Sequence, residues 1–142
     1  MTARAALCET AAVFRHHHHS EDVALRIDHL MEGVFVSDEH DRLERLAAHL
    51  APDFVYVSPG AVFEGPQGLS DAFSHYRHDA WRQAVLHRTS DVDLHHGNFR
   101  YSWARNEKGV TVMEGWSFGW LDAEGRIARI VSFEGLIPGR PA

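Results

Sequence analysis

Between Gln83 and Glu134, apolar side chains recur at alternate positions in four segments: Ala84 to His95, Phe99 to Arg105, Val110 to Leu121 and Arg126 to Phe133. A period of two sends successive side chains to opposite faces of an extended chain, so this stretch reads as four strands. The breaks are His96-Gly97-Asn98, Asn106-Glu107-Lys108-Gly109 and Asp122-Ala123-Glu124-Gly125. The last two are short loops with a late glycine able to take positive φ, which makes the pairing antiparallel.

The period before Gln83 is helical. Ser20 offers an N-cap, Glu21 and Asp22 suit the positive end of a helix dipole, and Ile27, Met31 and Val34 recur at helical spacing. Leu43, Leu46, Ala47 and Leu50 form a second stripe, which Pro52 is expected to end. Phe54 to Ser58 reads as a strand closed by Pro59-Gly60, and Ala61 to Glu64 as a short extended piece. Gly65-Pro66 opens a third helix with Leu69, Ala72, Phe73 and Tyr76 on its buried side, running out near Trp81. Residues 1–19 read as a loose leader, 20–137 as one domain and 138–142 as a tail. Helices first and long strands last predict an α+β fold, with three helices on a highly curved, mainly antiparallel sheet.

Several function classes lack support. Among 142 residues with a formal charge of -6, Lys108 is the sole lysine and the arginines are dispersed. No basic stripe matches a phosphate backbone, so no nucleic-acid partner is expected. No apolar run approaches the roughly 20 residues that span a bilayer, so no membrane partner is expected. Cys8 is the only cysteine, which points to a reducing compartment and a cytoplasmic location. His16 to His19 lie in the leader without a nearby carboxylate or cysteine at ligand spacing, and His95-His96 point to opposite strand faces; no metal site is expected. Phosphate loops, nucleophile elbows and zinc-helix motifs are missing from the sequence.

The segment Val110 to Leu121 is apolar on both parities. One carries Val112, Glu114, Trp116, Phe118 and Trp120; the other carries Thr111, Met113, Gly115, Ser117, Gly119 and Leu121. If the second lines the interior, the first is expected to meet another copy of the chain, a homodimer centred on Trp116, Phe118 and Trp120.

Three phrases carry a family resemblance: Leu50-Ala51-Pro52-Asp53-Phe54-Val55-Tyr56, Phe99-Arg100-Tyr101-Ser102-Trp103, and Glu114-Gly115-Trp116 running through Gly125-Arg126-Ile127 to Phe133-Glu134-Gly135. Together with the element order, they resemble the SnoaL-like branch of the nuclear transport factor 2-like cone fold over about residues 23–135. That resemblance implies a cone with an internal pocket and cofactor-free chemistry of the isomerase, cyclase or dehydratase kind. It equally allows a non-catalytic ligand-binding or assembly domain. The related ketosteroid isomerases place an Asp base before a Pro where this chain has Ser58. They place a protonated Asp where it has Ser117, and an oxyanion Tyr that falls between Glu32 and Val34. A hydroxyl does not replace a carboxylate base, so steroid isomerisation is not expected.

By the same resemblance the pocket holds a small apolar, cyclic molecule. Phe54, Tyr56 and Ser58 face it from the first strand, Met113, Gly115 and Ser117 from the long central one, and Ile130, Ser132 and Glu134 from the last. Glu134 is the acid/base candidate, desolvated by Phe54, Tyr56 and Trp103; ion pairing with an arginine is the structural alternative. Tyr56, Tyr101 and Trp103 can hydrogen-bond a flat ligand or simply fill the core, with Phe73 beside them. Regular alternation turns Arg88 inward, as an anchor for a ligand carboxylate or a partner for Glu134. The same alternation turns His87 outward, and a bulge would instead bring it in as a general base.

Overall fold

A computed structural model of the chain describes residues 20–33, 36, 38–78, 84–135, 137 and 139, with the backbone alone for 76–78. The leader with Cys8 and His16 to His19, Val34, the Tyr76 side chain, Trp81 and most of the tail lie outside the described residues.

Helix α1 (20–33) buries Val23, Ile27 and Leu30, spaced one and two turns apart. The Ser20 hydroxyl donates to the Val92 carbonyl at 2.6 Å, which fastens α1 to the sheet. Helix α2 (Glu39–His49) is capped by Asp38, whose carboxylate accepts from the Asp41 N–H at 2.9 Å. Its buried stripe differs from the hydropathy reading: Leu46 is buried, but so is Arg42. Arg42 donates Nε to the Ser70 hydroxyl and Nη1 to the Val36 carbonyl, both at 3.0 Å, and Nη2 to the Ser74 hydroxyl. The guanidinium thereby joins α2 to helix α3 (Gly65–His78).

Pro52 does not end α2. The helix stops at His49, Leu50 is already extended at φ -107° and ψ 144°, and strand β1 runs Leu50–Ser58. Proline is tolerated there because the β1 ladder shifts register between Leu50 and Val55. Strand β2 (Ala61–Glu64) pairs back on β1. The first C-terminal segment is two strands, β3 (Ala84–Arg88) and β4 (Asp93–His95). At the break, Ser90 Oγ accepts from the Ser102 N–H at 2.8 Å, taking the place of a backbone carbonyl and letting the chain bend.

Strands β5 (Asn98–Glu107), β6 (Val110–Leu121) and β7 (Ile127–Glu134) complete a sheet of order β2-β1-β7-β6-β5-β3, with β4 also on β5. The C-terminal pairings are antiparallel as expected, while β1 meets β7 in parallel, so the sheet is mixed. Two hairpins turn through His96-Gly97 and Lys108-Gly109, each with positive φ at both residues, 50° and 76° in the first and 50° and 77° in the second. Register shifts at Arg105/Asn106 and Trp120/Leu121 help the sheet curl strongly beneath the three helices.

Candidate functional site

The curl leaves a cavity of about 540 Å³ between the helices and the inner sheet face, within the usual size range of small-molecule sites. Ile27, Leu30 and Met31 of α1 and Leu69 and Phe73 of α3 form its helical wall. Pro59, Gly60 and Glu134 are both lining and exposed, and so mark the mouth.

Register arranges the inner face in rows. Tyr101 on β5 lies opposite Ser117 on β6, which lies opposite Ser132 on β7. Two links join hydroxyls along this row: Ser117 Oγ lies 2.6 Å from Ser132 Oγ, and Ser132 Oγ lies 2.9 Å from the Tyr56 hydroxyl on β1. Four neutral hydroxyls thus cross four adjacent strands. Burial, with Tyr56 adding to it, pushes the Tyr101 phenol far above its ordinary value, so it stays protonated.

The neighbouring row is Trp103, Gly115 and Glu134. A Cβ on Gly115 would stand 2.4 Å from Trp103 Cζ2 and 2.1 Å from the Phe133 carbonyl oxygen, so only glycine lets this indole lie across the sheet. Gly119 does the same beneath Phe99, whose Cζ would be 2.7 Å away. The Trp103 indole N–H is sealed from solvent and has no acceptor among the described residues.

Of the sequence-predicted residues, Tyr56, Ser58, Phe73, Tyr101, Trp103, Met113, Ser117, Ile130, Ser132 and Glu134 line the cavity. Ser58 spends its proton locally, on the Ala61 carbonyl at 3.1 Å. Glu134 stands exposed at the mouth rather than enclosed by Phe54 and Trp103, and its carboxylate has no hydrogen bond or ion pair with a described residue.

Three placements depart from the sequence reading. Phe54 is fully buried in the core and does not reach the cavity. His87 stays outside because β3 pairs with β5 without a bulge, so Ala84 and Leu86 take the inner positions. Arg88 shares their parity but turns to α1, where Asp28 receives its Nε and Nη2 at 2.9 Å each; it also donates to the Ser90 carbonyl. This bidentate pair holds the guanidinium in its charged form. Leu86, which alternation turns inward, lines the cavity, and so does Arg105, which the sequence reading did not single out although it follows Tyr101 and Trp103 at the same parity.

Among the described residues no group of three or more His, Cys, Asp or Glu is placed to hold a metal ion, and no helix is long and apolar enough to cross a membrane.

Comparisons with known proteins agree with this geometry. A SnoaL-like family protein from Agrobacterium tumefaciens str. C58, named in the isomerase class, shares 23% identity over 82% of this chain and 97% of its own, with a TM-score of 0.72. A SnoaL-like protein from Jannaschia sp. CCS1, named in the polyketide cyclase class, shares 12% identity over 82% and 85%, with a TM-score of 0.59. A cystatin-like-fold protein of unknown function from Methylobium petroleophilum PM1 shares 14% over 82% and 78%, with a TM-score of 0.62. No curated protein matches in sequence. The profile described as SnoaL-like domain matches residues 36–130, more than half the chain, and the protein therefore belongs to the SnoaL-like domain family.

Proposed function

We propose that the protein binds a small apolar, cyclic molecule in the cavity and rearranges it by proton transfer, as a cofactor-independent isomerase, cyclase or dehydratase. The observation that carries this reading is the single carboxylate at the mouth. Glu134 has no ionic partner among the described residues and follows two residues after Ser132 on the same face of β7. Strand rise separates the two positions by about 7 Å. That span suits a bound molecule held by an oxygen at one end while a carboxylate takes a proton from carbon at the other. Tyr56 orients the ligand from the hydroxyl row and Ser58 from the rim. The names of the Agrobacterium and Jannaschia proteins support the reaction class.

The test uses β-tetralone, a bicyclic ketone, in deuterium oxide. Wild-type protein is expected to speed exchange of the α-protons at least tenfold over buffer, and Glu134→Gln to bind the ketone without speeding exchange. Binding without faster exchange in wild type would favour the second reading, a non-catalytic binding domain. The exposure of Glu134 speaks for that alternative, since water competes with a bound molecule for the carboxylate.

We further propose a homodimer through the outer sheet face, in a reducing, cytoplasmic setting. Trp116 stacks on Phe133 with centroids 4.6 Å apart and planes 13° from parallel, and Phe118 and Trp120 continue this exposed face. The support is that such an apolar surface is uncommon on a chain this size unless covered.

A further inference from the structure

We propose that the Arg26–His49–His29 chain is an acid-sensitive catch on α1, so that proton uptake at the seam between α1 and α2 loosens the helical wall and weakens the hold of the cavity on an uncharged molecule. The effect on binding rests on the reading of the cavity as a ligand site; the catch itself does not.

At about 3.6 residues per turn, Leu30, Ile27 and Met31 share one arc of α1, and all three line the cavity. Arg26 and His29 border that arc on one side and Asp28 borders it on the other, so the wall is tied along both flanks. On the sheet side Asp28 receives Arg88 of β3 through two bonds of 2.9 Å, and Ser20 donates to the Val92 carbonyl. On the α2 side Arg26 Nη1 donates to the Ala48 carbonyl and lies against His49 Nδ1, while His29 Nδ1 lies against His49 Nε2, each at 3.2 Å. Two of those three contacts run through one imidazole.

Arg26 can only donate, so His49 Nδ1 accepts, His49 Nε2 carries the hydrogen, and His29 Nδ1 accepts it in turn. The chain has no place for another proton. One on His49 Nδ1 removes the acceptor that faces Arg26 and sets two cations side by side. One on His29 Nδ1 turns two N–H groups against each other. Each costs a contact in the seam.

The surroundings keep His49 neutral until the solution turns acidic. Burial comes first, then His29 and Arg26 from α1 and Arg45 from the preceding turn of α2, all of which oppose a charge on the ring. Asp41 and Glu44 share an open surface cleft with Arg45 and His49. Beyond His49, Leu50 and Ala51 of β1 are buried and apolar, and Arg126, next to the Leu50 partner Ile127, is held by Asp122 and Glu124. The sheet-side ties of α1 contain no imidazole. Mild acid therefore frees one flank only, and α1 turns outward about the other.

The test titrates tetralin, an uncharged bicyclic hydrocarbon without titratable or hydrogen-bonding groups, by calorimetry at pH 7.5 and 5.0. Amide exchange is followed at both values, each rate referred to its intrinsic rate. In wild type the dissociation constant is expected to rise at least about fivefold on acidification, and α1 amides to lose protection while those of β5 and β6 keep theirs. The double variant His29→Gln with His49→Gln, in which neutral amides replace the rings, is expected to show neither change. Glu134→Gln, which removes the carboxylate at the mouth, is expected to show both. By linkage, saturating tetralin should move the His49 ring titration, followed by NMR, to lower pH. Unchanged α1 protection in wild type, or the same loss in the double variant, would overturn the catch whether or not tetralin binds. Lost protection with a pH-independent affinity would overturn its link to the cavity and leave the cavity as a ligand site. No binding of tetralin at pH 7.5 would overturn the cavity reading, and the exchange result would then decide the catch alone.

Discussion

The Tyr56 hydroxyl, on β1, lies 2.9 Å from Ser132 Oγ, on β7, 76 residues later in the chain. Parallel pairing of these strands brings them together: Tyr56 stands opposite Ile130, and Ser132 is the next inward residue along. The same pairing joins the N-terminal strand to the C-terminal layer, so the polar row and the closure of the cavity have one cause.

Ser117 and Ser132 are both buried and mutually bonded, so removing one hydroxyl leaves the other short of a partner. Ser117→Ala and Ser132→Ala are each expected to lower stability by about 1–3 kcal/mol in urea unfolding, and the double variant to lose less than their sum. Strict additivity would mean the two do not interact.

Gly115→Ala is expected to cost roughly 1–3 kcal/mol or more, because its methyl would collide with the Phe133 carbonyl and the Trp103 ring. The change should also alter the near-ultraviolet dichroism of the indole. Gly60→Ala, where nothing lies within 4 Å, is the control and should leave both unchanged.

Arg42→Lys should destabilise more than Arg42→Met. A lysine keeps the charge in a site that is 2% exposed but does not reach Ser70, Ser74 and the Val36 carbonyl together. Denaturant midpoints of the two variants check the order, which is opposite to the one charge conservation suggests.

Acidification should weaken the α1–α2 contact. Arg26 Nη1, which can only donate, lies 3.2 Å from His49 Nδ1, so His49 carries its proton on Nε2 and donates to His29 Nδ1 at 3.2 Å. Burial, then His29, Arg26 and Arg45, lower the His49 pKa below its ordinary 6.5. A group depressed in the folded state favours folding above its unfolded value and loses that contribution as pH falls through the folded one. Stability is therefore expected to drop below about pH 6.5, and His49→Gln to flatten that drop. Equal slopes for both proteins between pH 7.5 and 5 would remove the His49 contribution.

The outer aromatic face gives a mass measurement. Phe118→Lys with Trp120→Lys should convert a dimer to a monomer in light scattering, because charge replaces exposed apolar area on β6. A wild-type chain that is already monomeric would contradict the dimer.

Periodicity made the helices and the C-terminal strands legible, together with the inward parity of β6 and β7, because each depends on neighbours in sequence. Less legible was whatever depends on distant partners. Leu50 fits the α2 stripe but belongs to β1, since its ladder partner is Ile127. Arg42 looks like surface until Ser70 and Ser74 arrive from α3. Arg88 had the right parity, yet Asp28, 60 residues before it, draws it out of the cavity. The row hydroxyls could each be assigned to the pocket, whereas their linkage required the register of β5, β6, β7 and β1.

The central claim is a hollow, ligand-accessible interior, and a crystal structure of the protein soaked with β-tetralone tests it most directly. Density is expected for one molecule between α1, α3 and the inner sheet face, against Tyr56, Ser117 and Ser132. Side chains closing that space, with the ketone absent or bound only outside it, would contradict the account.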